Sequence, residues 1–213
     1  MKFQDSIVYE DDKIIAVNKP AGQLVIPGRD AKEADTLRKA MERHTKAKIY
    51  VVHRLDRGAS GLVVFAKDPV THRTLSMAFE SRDVRKIYRV LVQGAIDRDG
   101  KVDKELKEFG SGRVGFSGDG KPASTSYRVL ERRTGATLLE VEPTTGRRHQ
   151  IRVHMFTTGH PVMGDELYGE TRPVGGVARL MLHALSLELP GGLKLRAPVP
   201  PDFEAIVKKY ATR

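Results

Sequence analysis

Cysteine is absent from the chain, which excludes disulfides and thiolate metal sites. Acidic residues are too few to balance the bases: 27 Asp and Glu stand against 37 Lys and Arg, a net charge of +10. No run approaches the ~20 apolar residues of a membrane-spanning helix, and Met1-Lys2-Phe3-Gln4-Asp5 holds no apolar leader. These absences predict a protein of the cytoplasm that uses no membrane. The charge excess points to a polyanionic partner, most simply nucleic acid, with solubility alone as the plainer explanation. What is there, 213 residues at 39% apolar and 30% charged, suits one large domain or two small ones with a real core.

Hydrophobic periodicity lays out the elements. Ile7–Glu10 and Lys13–Asn18 read as strands around Glu10-Asp11-Asp12, and Lys19-Pro20-Ala21-Gly22 ends that hairpin. Thr36–Thr45 has helical spacing, with Asp35 as its cap. Asp68-Pro69 opens a helix that runs to about Ser81 and buries Leu75, Ala78 and Phe79. Lys86–Gln93 is a strand with Tyr88, Val90 and Val92 on one face. Asp97–Ala123, rich in Gly, Lys and Asp, reads as loop with at most a short strand. Ser124–Arg132 and Thr137–Glu142 form a strand pair, a helix runs from near Arg148 to Gly159, and Arg179–Leu189 is a strand. A last helix covers Pro201 to Tyr210. Hairpins dominate and helices do not alternate with strands, so the expected class is α+β with a mostly antiparallel mixed sheet. No repeat and no interdomain linker is visible, which predicts a single domain over 1–213.

Several motifs fail on inspection. Gly115 to Lys121 matches G-x-x-x-x-G-K, but Pro122 follows where a phosphate loop needs Ser or Thr for magnesium. Gly58-Ala59-Ser60-Gly61 hints at a nucleophile elbow, yet Leu62 stands where the last glycine belongs, so Ser60 reads as a turn residue. The seven histidines show no H-x-x-x-H ligand spacing; His149 and His154, five apart, point to different helix faces. No metal is expected.

Four stretches carry more polar chemistry than their apolar settings explain. The first, His53-Arg54-Leu55-Asp56-Arg57-Gly58-Ala59-Ser60-Gly61-Leu62, sets one carboxylate between two arginines, on a loop between two apolar strands. The second is Lys86-Ile87-Tyr88, and the third the basic turn Thr145-Gly146-Arg147-Arg148-His149-Gln150-Ile151-Arg152-Val153-His154. The fourth is Leu180-Met181-Leu182-His183-Ala184. Each has a structural explanation: a salt-bridge acid, a core tyrosine, a solvated helix start. Arginines at a helix N-terminus nevertheless oppose the helix dipole, and an anion held there would account for them. On these grounds nucleic-acid binding ranks first and an Asp-dependent enzyme second.

The His53–Leu62 stretch resembles the signature of RluA-type pseudouridine synthases, in which its aspartate is catalytic. Asn18-Lys19-Pro20-Ala21-Gly22, Lys86-Ile87-Tyr88, Lys121-Pro122-Ala123-Ser124-Thr125-Ser126-Tyr127, Gly146–His154, His160–Asp165 and Leu182-His183-Ala184 resemble further family motifs in the same order. Ala59 and Arg148 depart from the pattern, replacing the usual Thr and the usual Thr or Ser. The motifs begin by residue 18, so no N-terminal S4 domain is expected, and the chain most resembles the family's small branch that modifies tRNA and large-subunit rRNA.

The resemblance implies a pseudouridine-synthase-like fold with a central basic cleft, and isomerisation of uridine in RNA without a cofactor. It implies Asp56 as the catalytic acid, either nucleophile or general base, with Arg152 facing it and Tyr88 stacking on the flipped base and shuttling a proton. By the same resemblance, Leu182 is expected to line the base pocket and Arg54 to fill the gap left in the RNA stack. Arg147 and Arg148 hold phosphates, and the loop glycines admit the RNA backbone. RNA is the expected partner and a monomer the expected state. A non-catalytic RNA-binding protein and a hydrolase cleaving the glycosidic bond are the rivals.

Overall fold

The computed structural model describes residues 6–28, 36–110, 112–169 and 177–210. The chain forms two compact units, Met1–Arg85 with Ala184–Pro198 and Lys86–His183 with Val199–Arg213.

In the first unit, β1 (Ile7–Glu10) and β2 (Ile14–Lys19) form the expected antiparallel hairpin. Asp11 makes the turn: its Oδ1 accepts the Lys13 and Ile14 N–H groups at 2.8 and 2.7 Å. α1 (Leu37–Thr45) is capped by Thr36, whose side chain accepts from the Lys39 N–H; Asp35 lies outside the described residues. β3 (Tyr50–Val51) and β4 (Ser60–Ala66) bracket the Asp56 loop and pair with each other. All seven β4 residues are buried, which is why Leu62–Ala66 reads as an unbroken apolar run. α2 (Pro69–Ser81) starts as expected, with Asp68 accepting the Val70 and Thr71 N–H groups at 2.8 and 2.9 Å. It buries Leu75 and Ala78 against Ile14, Ala16, Leu62 and Val64, while Phe79 is only half-buried.

The second unit holds β5 (Arg85–Gln93), β6 (Gly100–Glu108), β7 (Val114–Phe116), β8 (Lys121–Arg133) and β9 (Ala136–Pro143), in the order β5-β9-β8-β6-β7, each pair antiparallel. The Asp97–Ala123 region is therefore mainly sheet, not loop. Only Val102 and Leu106 of β6 are buried, and charged residues fill the other positions after Gly100, so the alternation expected of a strand is lost. α3 (Gln150–Thr157) is shorter than expected, because His149 sits in the left-handed region (φ 54°) and cannot continue a helix. It lies against β6, β7, β8 and β9. β10 (Leu182–Glu188) begins later than expected and carries the chain from the second unit into the first, where β11 (Lys194–Arg196) pairs with it. α4 (Pro201–Lys209) buries Phe203 and Val207. Class and sheet type are those read from the sequence: α+β, a mostly antiparallel mixed sheet with flanking helices. Among the described residues, no helix is long and apolar enough to cross a membrane.

Candidate active site

Asp56 sits half-buried on the β3–β4 loop, between the exposed Arg54 and Arg57 and beside the buried Leu55. Three devices hold this loop. The Ala59 N–H donates to the Asp56 carbonyl at 3.2 Å, closing a turn over Arg57-Gly58. The Val64 N–H donates to His53 Nε2 at 2.9 Å, which puts the neutral ring's proton on Nδ1, and the same ring stacks on Phe79 at 4.6 Å. Lys19 supplies the third. Its side chain is wholly buried, and its ammonium donates to the carbonyls of Pro20 (3.0 Å), Gln23 (2.9 Å) and Arg57 (3.2 Å). Arg57 returns the tie, its Nε donating to the Gly22 carbonyl at 3.1 Å while its own carbonyl accepts the Gly22 N–H at 2.8 Å. The Asn18–Gly22 stretch thus clamps the segment next to Asp56, and this carboxylate stands on a braced loop.

Gly61 and Ser60 do other work than the sequence suggests. A Cβ on Gly61 (φ 113°) would lie 2.2 Å from the Ala184 carbonyl oxygen, so the glycine is required by protein backbone there, not by an approaching RNA strand. Ser60 is the first residue of β4 and fully buried, not a turn residue.

In the second unit, Arg152 on α3 forks onto Asp165, Nε to Oδ2 at 2.7 Å and Nη2 to Oδ1 at 2.8 Å. The Asp165 side chain is wholly buried. Burial alone would raise its pKa, but the Arg152 hydrogen bonds and charge, with the Leu167 and Tyr168 N–H groups, hold it below the ordinary value. The Tyr168 ring lies under the guanidinium at 5.1 Å; its hydroxyl accepts the Val114 N–H and meets His149 Nδ1, each at 2.8 Å. Gln150 shapes the basic turn. Its Oε1 accepts from Thr145 Oγ1 (2.7 Å) and the Arg147 N–H (3.0 Å), and its Nε2 donates to the Ser124 carbonyl and Thr125 Oγ1, both at 2.9 Å. Arg147 Nε reaches the Pro122 carbonyl at 3.3 Å, and Arg148 pairs with Glu108. Tyr88 is half-buried on β5 opposite Val141, and Leu182 is buried at the start of β10.

The sequence model of the family described as RNA pseudouridylate synthase matches residues 13–156. The chain belongs to this family. It is 40% identical over 210 residues to the dual-specificity RNA pseudouridine synthase RluA of Vibrio parahaemolyticus, covering 92% of this chain and 83% of that one. It is 38% identical over 221 residues to the ribosomal large subunit pseudouridine synthase D of Nitrosomonas europaea, covering 95% of this chain but only 64% of that one. In structure it matches human RNA Pseudouridylate Synthase Domain Containing 4 with a TM-score of 0.82 at 25% identity, over 98% of this chain and 94% of that one.

Membership in the pseudouridylate synthase family does not by itself reveal the supports. Lys19, Gln150 and Asp165 escape a reading of chemistry-bearing residues because lysine, glutamine and aspartate are ordinarily outside. The only signal in the sequence was their position within the matched motifs. Replacing Lys19 with Met would take this donor from the Pro20 and Gln23 carbonyls and leave the Arg57 carbonyl with the Gly22 N–H alone. We expect a loss of roughly 3 kcal/mol in urea unfolding, and a change under 1 kcal/mol would show that the clamp contributes little.

Proposed function

We propose that this chain isomerises uridine to pseudouridine in structured RNA, tRNA or large-subunit rRNA, with Asp56 as the catalytic aspartate. One observation carries the reading: a carboxylate on a braced loop, within a family signature that stands in order with the other family motifs. In the reaction the N1–C1′ bond breaks, the base turns over, and a C5–C1′ bond forms. The proton that leaves C5 is matched by one gained at N1, so no redox partner is required. The target base has to leave its stack, and Asp56 then attacks the nucleotide or takes the C5 proton.

The remaining roles follow the family motifs. Tyr88 stacks on the base and moves a proton, and Arg152 supplies a cation for the reaction. Since Arg152 also holds Asp165, any test of Arg152 requires a stability measurement beside it. Leu182 lines the base pocket, Arg54 fills the vacated stack, and Arg147 and Arg148 face phosphates. The reading treats residues 1–213 as one catalytic domain, working as a monomer in the cytoplasm on RNA and with no membrane. Mapping pseudouridines in total RNA from cells with and without the protein tests it: one or a few sites should vanish on deletion and return on complementation. An unchanged map would overturn it.

A further inference from the structure

Between the β6–β7 hairpin and the Gly146–Arg148 turn lies a cleft of about 430 Å³. Four cations and two carboxylates line it: Lys107, Lys121, Arg147 and Arg148 against Glu108 and Asp119. Both acids are taken, Glu108 by Arg148 and Asp119 by Lys107. Among the described residues no carboxylate pairs with Lys121 or Arg147; the Arg147 bond to the Pro122 carbonyl leaves its charge uncancelled. On the same face of β6, Lys104 stands 4.1 Å over the ring of Phe116, which is 38% exposed.

The Glu108–Arg148 pair is the informative feature. Glu108 is on β6 and Arg148 on the turn before α3, so the pair joins two walls of the cleft. Both side chains remain open to water, at 52% and 39%, where an ion pair is individually weak. A guanidinium fork accepts a phosphate as readily as a carboxylate. A phosphate here would also meet the charges of Lys121 and Arg147, which the Glu108 carboxylate leaves uncancelled.

We propose that this cleft is a subsite for a phosphodiester of the RNA strand, and that Glu108 holds Arg148 as an internal stand-in which the phosphate displaces. The inference rests on the RNA-modifying function proposed above and adds to it a site and a gate. Glu108 makes the cleft selective: a lone anion gains little by exchanging with it, whereas a strand anchored elsewhere brings its phosphate at high local concentration.

Binding of an unmodified tRNA transcript over a series of KCl concentrations tests this. Arg148→Ser should weaken binding about 5–10-fold and reduce the slope of log K against log salt by roughly 0.7–0.9. Glu108→Gln should tighten binding by about 3–10-fold. In the Arg148→Ser background, Glu108→Gln should change Kd by less than about twofold, because its partner is gone. Glu204→Gln on α4, outside the cleft lining, makes the same change in net charge and should leave Kd alone. The subsite is overturned if Glu108→Gln leaves Kd unchanged, tightens it equally without Arg148, or does no more than Glu204→Gln. An Arg148→Ser variant that melts earlier but binds normally would also overturn it, making the pair a strap only. Wild-type conversion of uridine with no coupling between Glu108 and Arg148 sinks the subsite alone. Coupling without conversion sinks the catalytic reading and keeps the subsite.

Discussion

Asp56→Asn should reduce pseudouridine formation below detection, a fall of at least about 10⁴-fold, of the order seen when a covalent catalyst loses its reacting group. The carboxamide is nearly the size of the carboxylate. The loop is held by the Asp56 carbonyl, by His53 on the Val64 N–H and by the Lys19 clamp, none of which uses the lost charge. Fold and RNA binding should therefore survive. An amide cannot attack or take a proton as a carboxylate does, and the groups proposed to assist would have no acid to assist. Were Asp56 only a surface salt-bridge acid, the variant would keep its activity and lose at most about 1 kcal/mol. Single-turnover measurement beside a thermal melt separates the two, and near-normal turnover would remove Asp56 from the chemistry.

Asp165→Ala should cost about 3–5 kcal/mol of stability at neutral pH, because it removes the buried carboxylate onto which the Arg152 guanidinium forks. The Leu167 and Tyr168 N–H groups lose their acceptor in the same step. The effect should depend on pH in one direction. The Asp165 pKa is lowered in the folded protein, so its contribution is complete above the ordinary aspartate value. It fades as pH falls through the depressed folded value. Urea unfolding across that acid range should show wild type converging on the variant. A gap under about 1 kcal/mol at neutral pH, or one that widens in acid, would contradict this account of the pair.

What the sequence makes legible follows from where apolar residues are regular. β4 is buried throughout and α2 opens on Asp68-Pro69, so both stand out, and with them the polar loop that carries Asp56. β6 is hidden because Lys104 occupies an alternating position where an apolar residue would be expected, its chain lying on Phe116 instead of in the core. α3 looks longer than it is because a left-handed residue such as His149 leaves no trace in hydrophobic periodicity. The site divides the same way. The groups proposed to react belong to recognisable motifs, while the supports are long-range contacts: Lys19 bonds the Arg57 carbonyl 38 residues away, and Arg148 meets Glu108 40 residues away. Nothing local encodes such pairings. Gly61 illustrates the converse, a glycine in a reactive motif whose conformation answers to a neighbouring strand.

The central claim is that the chain moves a uracil from N1 to C5 attachment without releasing it. It is tested most directly by single-turnover reaction of the wild-type chain with unmodified, base-labelled tRNA and large-subunit rRNA transcripts, followed by complete digestion and separation of nucleosides and free bases. The account predicts label converting to pseudouridine at a defined position, with no free uracil and no abasic site. RNA bound without any product, or label recovered as free uracil, would contradict it.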